Sequence, residues 1–199
     1  MQNTIALDSA HATCCPNAGR SGSWYGAQVH VVGVTPEAPT LQAATGGEEA
    51  RELRVTTARL RAFRDELSTV APERLGAVSV GTPHASLAEL ERLAGLLGTD
   101  QVAAPLYVNV GRESLAEAEG GGLVPRLESL GVRVVSDTCT YISPVMDEVN
   151  GPVMTDSAKW AWYAPANLGV DVVIGGLEEC VRSAVAGRVL LDETLWADA

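Results

Sequence analysis

The sequence predicts an α/β domain whose mostly parallel sheet is covered by helices, an α/β/α layering. Two observations carry that prediction. Short valine-rich runs, Ala77–Gly81, Pro105–Val110, Val132–Val135 and Val170–Ile174, are separated by helical patterns and do not follow one another directly. Several of these runs also lead through a Gly- or Ser-containing loop into a helix start, which is how parallel strands are joined. A chain of 199 residues with 46% apolar content is long enough to bury a core under such layers.

The elements follow in order. Residues 1–23 are small and polar, broken by Cys14-Cys15-Pro16, and read as an irregular lead-in to a domain spanning 24–199. A metal site on Cys14, Cys15 and His11 is the lesser reading, since no second Cys/His pair follows at zinc spacing. Gln28–Val34 reads as a strand ended by Thr35-Pro36, with a long turn region up to Gly46-Gly47. Glu48–Val70 reads as a helix, because Leu53, Leu60 and Leu67 recur among charged residues. Ala77–Gly81 is a strand and Thr82–Ala85 its loop. Ser86 and Glu89 have capping-box spacing and open a helix with Leu87, Leu90, Leu93 and Leu97 on its buried face, closed by Gly98. Pro105–Val110 is the next strand, and Glu113–Glu119 and Val124–Leu130 are short helices around a glycine break. Val132–Val135 leads into the hydroxyl-rich loop that holds Cys139. Ser157–Tyr163 reads as a turn or two of helix. Val170–Ile174 is a strand, and Leu177–Ala186 is a helix with Cys180 among its apolar positions and Gly187 as its cap.

Composition excludes some functions. A net charge of −11 lacks the basic face that nucleic acid requires. No apolar run approaches the length of a membrane span, and no basic, then apolar, leader opens the chain. Four cysteines without framework spacing point to a reducing cytoplasm.

Chemistry-bearing side chains gather on the loops. His84 stands between a strand's carboxyl end and a helix's amino end, the usual ligand crevice of open α/β sheets. It is a candidate acid/base group or else a loop residue near a cap. Cys139 has polar neighbours and reads equally as ligand, nucleophile or structural thiol. Lys159 is the chain's only lysine. Together with Ser157 it suits a carboxylate or phosphate, against the alternative of a solvated cation.

Four stretches, in one order and with continuous spacing, are VGTPHASLAELERLA from Val80, SDTCTYISPV from Ser136, VMTDSAKWAWYAPANLGV from Val153 and GGLEECVRSAVAGRV from Gly175. Together with HVVGVTPEAPT from His30 they resemble the catalytic large component of aconitase X, over about Ala27–Leu191. The resemblance implies a hydro-lyase acting on a small hydroxy acid, either cis-3-hydroxy-L-proline or mevalonate 5-phosphate, with an iron–sulfur cluster as Lewis acid. It makes Cys139 a cluster ligand. It gives catalytic roles to His84, Ser157 and Lys159, and substrate binding to Thr82, Ser86, Thr155, Ser157 and Lys159. Thr82 replaces a cysteine that phosphomevalonate-type members carry, which favours the hydroxyproline type. The family's component is longer on its N-terminal side, so a companion chain or domain is implied. The rivals are a non-catalytic remnant that binds a partner and, last, a hydrolase using Cys139 and His84.

Overall fold

In the computed structural model, which describes residues 5–7, 29–49, 55–70, 74–142 and 145–196, the chain divides into two units, Met1–Val55 and Thr56–Ala199. In the first unit β1 (Ile5–Leu7) pairs antiparallel with β2 (Val29–Val31). The strand expected to reach Val34 stops at Val31, whose N–H is taken by the Thr35 hydroxyl at 2.9 Å, turning the chain. Thr40 then caps a short helix, α1 (Leu41–Thr45), within what the sequence marks as turns. Cys14, Cys15 and His11 lie outside the described residues.

The second unit opens with α2 (Thr57–Leu67), shorter than the helix expected from Glu48. Thr56 sets the start, its hydroxyl accepting the Arg59 N–H at 3.2 Å. Leu60 is 49% exposed, so the seven-residue leucine spacing does not mark the buried stripe. That stripe is half-buried Phe63 with buried Arg64 and Leu67; Arg64 pairs with Asp65 and Glu193.

Next come β3 (Ala77–Ala85), α3 (Leu87–Leu97), β4 (Leu106–Val110), α4 (Arg112–Gly120), α5 (Leu123–Ser129) and β5 (Val132–Ser136). After a long loop follow β6 (Val153–Thr155), α6 (Ala158–Leu168), β7 (Val172–Ile174), α7 (Leu177–Ala186) and a 3-10 turn at Glu193–Trp196. The capping box of α3 forms as its spacing predicts, with Leu90, Leu93, Ala94 and Leu97 buried. Strand β3 runs past its expected end at Gly81 to Ala85, β7 starts at Val172 and not at Val170, and β6 and α6 depart further. The strand β6 has only three residues between Pro152 and Asp156, too few to show a period. The helix α6 runs on to Leu168 through Pro165.

The sheet order is β5-β4-β3-β6-β7, every pair parallel. Chain order reverses direction between β3 and β6, which makes that gap the topological switch point. Alternation along the strands sorts side chains onto two faces. Val78, Val80, Leu106, Val108, Met154 and Val173 join the leucines and valines of α3, α5 and α7 in an aliphatic core. Ala77, Tyr107, Val153, Val172 and Ile174 face the other way, against Leu67 of α2 and Trp160, Ala161 and Ala164 of α6.

Candidate active-site crevice

Strand β3 does not end where its apolar run ends. Its register against β4 jumps from Val80↔Val108 to Ala85↔Val110, so the intervening residues bulge outward at the switch point. Gly81 makes the bulge possible. Its φ is +76°, and a Cβ there would lie 2.7 Å from the Asn109 carbonyl oxygen. The loop read as Thr82–Ala85 is thus extended backbone that carries Thr82, Pro83 and His84 over the strand ends.

Beneath the bulge, on the aromatic face, lies a fully buried polar cluster. Ser79, Asn109, Thr140 and Thr155 are each 0% exposed. The Trp160 indole N–H donates to Thr140 Oγ1 at 2.8 Å and Asn109 Nδ2 donates to the same oxygen at 3.3 Å. Ser79 Oγ lies 2.7 Å from the same oxygen, and either of these two hydroxyls can donate to the other. Asn109 Nδ2 also reaches Thr82 Oγ1 at 3.0 Å and the Val80 carbonyl at 3.2 Å, while Asn109 Oδ1 accepts the Thr140 N–H at 3.2 Å. A buried polar group without partners is costly, and here Ser79, Asn109, Thr140 and Trp160 bond to one another while Thr155 takes the Ser157 N–H.

Of the sequence-derived candidates, Thr82, Cys139, Thr155 and Ser157 come together around this cluster. The half-buried Cys139 directs its thiol at the Pro83 carbonyl, 3.9 Å away, so Cys139 and the bulge share one edge. The Tyr141 hydroxyl lies beside that thiol, and its ring stacks on Tyr163 with centroids 5.6 Å apart. Burial, with Cys139 close by, pushes the Tyr141 phenol above its ordinary range. Ser157 caps α6 by accepting the Trp160 N–H at 3.2 Å, and its hydroxyl donates to the Thr82 carbonyl at 3.2 Å. Lys159 is half-buried in the first turn of α6. His84 is exposed, lying against Gly111 at the start of α4. Thr155 uses its hydroxyl to accept the Ser157 N–H at 3.2 Å, and Ser86 serves as the cap of α3. Cys180 is fully buried on α7 on the aliphatic face; burial, followed by Asp156 and Glu179, pushes its thiol well up.

Residue-type reasoning passed over three side chains at the crevice. Asn109 sits inside an apolar strand, where asparagine is disfavoured, and that misfit was a usable signal. Asp156, between Thr155 and Ser157, turns toward the aliphatic face and accepts the Gly81 N–H. Its carboxyl reaches solvent yet is crowded by protein, which pushes it up to about 6, with Glu89 adding to the effect and the backbone N–H contacts opposing it. Arg112 pairs with Asp137 at 2.7 Å; both are exposed, and Asp137 holds φ at +62°, alone among the described non-glycine residues.

The metal-ligating chemistry is sparse. Cys139 is the one described thiol at the crevice, and the described residues contain no group of three or more His, Cys, Asp or Glu side chains placed to hold a metal. They therefore offer one sulfur ligand, which does not amount to a cluster site. Among the described residues no helix is long and apolar enough to cross a membrane.

The chain is 40% identical over 166 residues to a cis-3-hydroxy-L-proline dehydratase of Pseudomonas aeruginosa, covering 80% of this chain and 28% of that protein. It is 37% identical over 166 residues to the Hypocrea jecorina protein of the same name, covering 79% and 28%. It is 34% identical over 153 residues to the phosphomevalonate dehydratase large subunit of Methanothermobacter thermautotrophicus, covering 77% and 37%. The chain thus spans well under half the length of these relatives. Its fold matches the crystal structure of Thermococcus kodakaraensis aconitase X in its holo-form, with a TM-score of 0.59 at 24% identity, over 69% of this chain and 35% of that one. Residues 75–186, which contain the whole parallel sheet and the crevice, match the model of the aconitase X third domain, and the chain belongs to the aconitase X family.

Proposed function

We propose that this chain supplies one wall of the active site of a hydro-lyase that dehydrates a small hydroxy acid, cis-3-hydroxy-L-proline in first place. The observation that carries the reading is the 40% identity to a cis-3-hydroxy-L-proline dehydratase across 80% of this chain, including the bulge, the Cys139 loop and the start of α6. The phosphomevalonate relative stands at 34%.

Removing water from a 3-hydroxy acid takes the hydroxyl from one carbon and a proton from its neighbour, so the site needs an anchor for the carboxylate and an acid/base group. Lys159, beside the Ser157 cap, is the proposed carboxylate anchor. The exposed His84 is the proposed proton carrier. Thr82 forms the substrate-facing rim, and Ser157 is joined to it through the Thr82 carbonyl. Ser86, Thr155 and Ser157 already spend their hydroxyls, on the α3 cap, on the Ser157 N–H, and on the Trp160 N–H and Thr82 carbonyl, so they shape the rim from behind. Cys139 contributes one sulfur to an iron–sulfur cluster whose other ligands come from outside the described residues, on a companion chain or domain. The free thiols of Cys139 and Cys180 suit a reducing cytoplasm.

The second reading is a remnant that keeps the fold without turnover. It is favoured by one observation: the cluster of Ser79, Asn109, Thr140 and Trp160 satisfies itself and needs no substrate. The test is complementation. The chain is produced without oxygen, alone and together with the part of the Pseudomonas aeruginosa dehydratase that it does not match. Iron, acid-labile sulfide and consumption of cis-3-hydroxy-L-proline are then measured. Iron, sulfide and turnover only in the pair support the proposal. A folded pair without turnover favours the remnant.

A further inference from the structure

The chain grips the Cys139 loop from both sides with one short segment. On the far side of the cysteine, Asn109, the penultimate residue of β4, holds Thr140 twice: Oδ1 accepts the Thr140 N–H at 3.2 Å and Nδ2 donates to its hydroxyl at 3.3 Å. On the near side Arg112, the first residue of α4, holds Asp137 through Nε at 2.7 Å. The two grips differ in kind. Asn109 is fully buried, whereas Arg112 is 81% exposed and its guanidinium is pushed further up by its hydrogen bond to Asp137. Asp137 needs a grip, because a non-glycine residue at φ +62° is disfavoured unless its surroundings hold it there. Asn109 also donates to Thr82 Oγ1 at 3.0 Å, and the Thr82 carbonyl accepts from Ser157. The same amide therefore sets the distance between the Cys139 wall and the wall that carries Ser157.

We infer that Asn109 and Arg112 are positioning residues, which together fix the Cys139 thiol against Pro83 and so set the width of the crevice. The importance of that width for catalysis rests on the dehydratase reading; the placement itself does not.

The experiment reads placement alone. The folded chain is alkylated with iodoacetamide, and the rate at each cysteine is followed by peptide mass spectrometry. Cys180, buried on α7, reports general loosening of the fold in the same sample. Arg112→Met should raise the Cys139 rate about threefold, the scale of a lost exposed ion pair, with the Cys180 rate and the unfolding midpoint unchanged. Arg112→Lys should recover most of the difference. Asn109→Ala should raise the Cys139 rate about tenfold or more, the scale of a lost buried hydrogen-bond network. If Asn109→Ala does not fold, Arg112→Met decides. A folded Arg112→Met chain with the wild-type Cys139 rate overturns the inference, as does an equal rise at Cys180. Failure of the dehydratase reading would appear elsewhere, as absent turnover in the complemented pair with these alkylation differences intact.

Discussion

The two faces of the sheet are built on different principles. The face under α3, α5 and α7 is aliphatic, with Leu90, Leu93, Leu97, Leu106 and Leu127 all within 1% of full burial. The face under α6 is aromatic and polar, with Trp160 and Tyr107 beside the Ser79–Asn109–Thr140 cluster. Aliphatic packing is non-directional and tolerates change of shape, whereas a buried hydrogen-bond network works only if each member is in place. The first face therefore supplies stability. The second supplies geometry, and it lies under the crevice.

The comparison sharpens under mutation. The largest effect on stability should come from Leu90→Ala, which opens a cavity in the aliphatic face and costs about 3 kcal/mol. Urea unfolding measures it, and the Cys139 alkylation rate under native conditions should not change. Thr140→Val is nearly isosteric but removes the oxygen shared by Ser79, Asn109 and Trp160, and should cost about 2 kcal/mol. Here the crevice should loosen as well, so Cys139 should react faster. A neutral Thr140→Val would show that the polar cluster does no more than fill space.

Lys159→Met probes the crevice without touching either core. In the complemented enzyme KM for cis-3-hydroxy-L-proline should rise about tenfold, the scale of one charge-assisted contact. The urea midpoint should stay where it was. An unchanged KM would make Lys159 a surface cation.

Asp156→Asn gives the smallest effect, and its sign is the informative part. The carboxyl is pushed up to about 6 in the fold from an ordinary value of 3.8. As pH rises from about 4 to about 6 the unfolded chain releases this proton first, so the group costs stability that protonation would restore. Asparagine removes that cost and can keep an acceptor for the Gly81 N–H. The variant should be more stable than wild type by about 1 kcal/mol at pH 7, after allowance for solvent screening, with the gap closing toward pH 4. A gap that stays constant with pH would mean that Asp156 titrates normally.

The two faces also differed in how far they could be read from sequence. The aliphatic face writes itself at helical spacing: α3 with its capping box and α7 with its closing Gly187 stand where the pattern puts them. The Cys139 loop and the Thr82–Ala85 stretch were expected to share one edge because they follow parallel strands, but the second was read as a loop and is a bulged extension of β3. Three things were not legible. Strand β6 is three residues long and shows no alternation, so the partner of β3 at the switch point was hidden. The leucine repeat in α2 suggested a stripe that burial of Arg64 and exposure of Leu60 contradict. Asn109 stood out only as a misfit in an apolar strand, which does not name Thr140 as its partner, and nothing local announces the contact of Arg112 with Asp137.

The switch point has a consequence for how the molecule is made. Strands β3, β4 and β5 are consecutive neighbours, each joined to the next through a helical crossover. The pairing of β3 with β6, by contrast, matches Ala77 with Val153 and must close the longest loop in the sheet. On a ribosome the first three strands are available well before β6 emerges. Until it arrives, β3 has an unpaired edge, and Asn109 can meet Thr82 and Thr140 while Ser157 and Trp160 are still missing. The crevice is thus among the last features to assemble, and a chain interrupted before Val153 would present that open edge to its neighbours as an aggregation hazard.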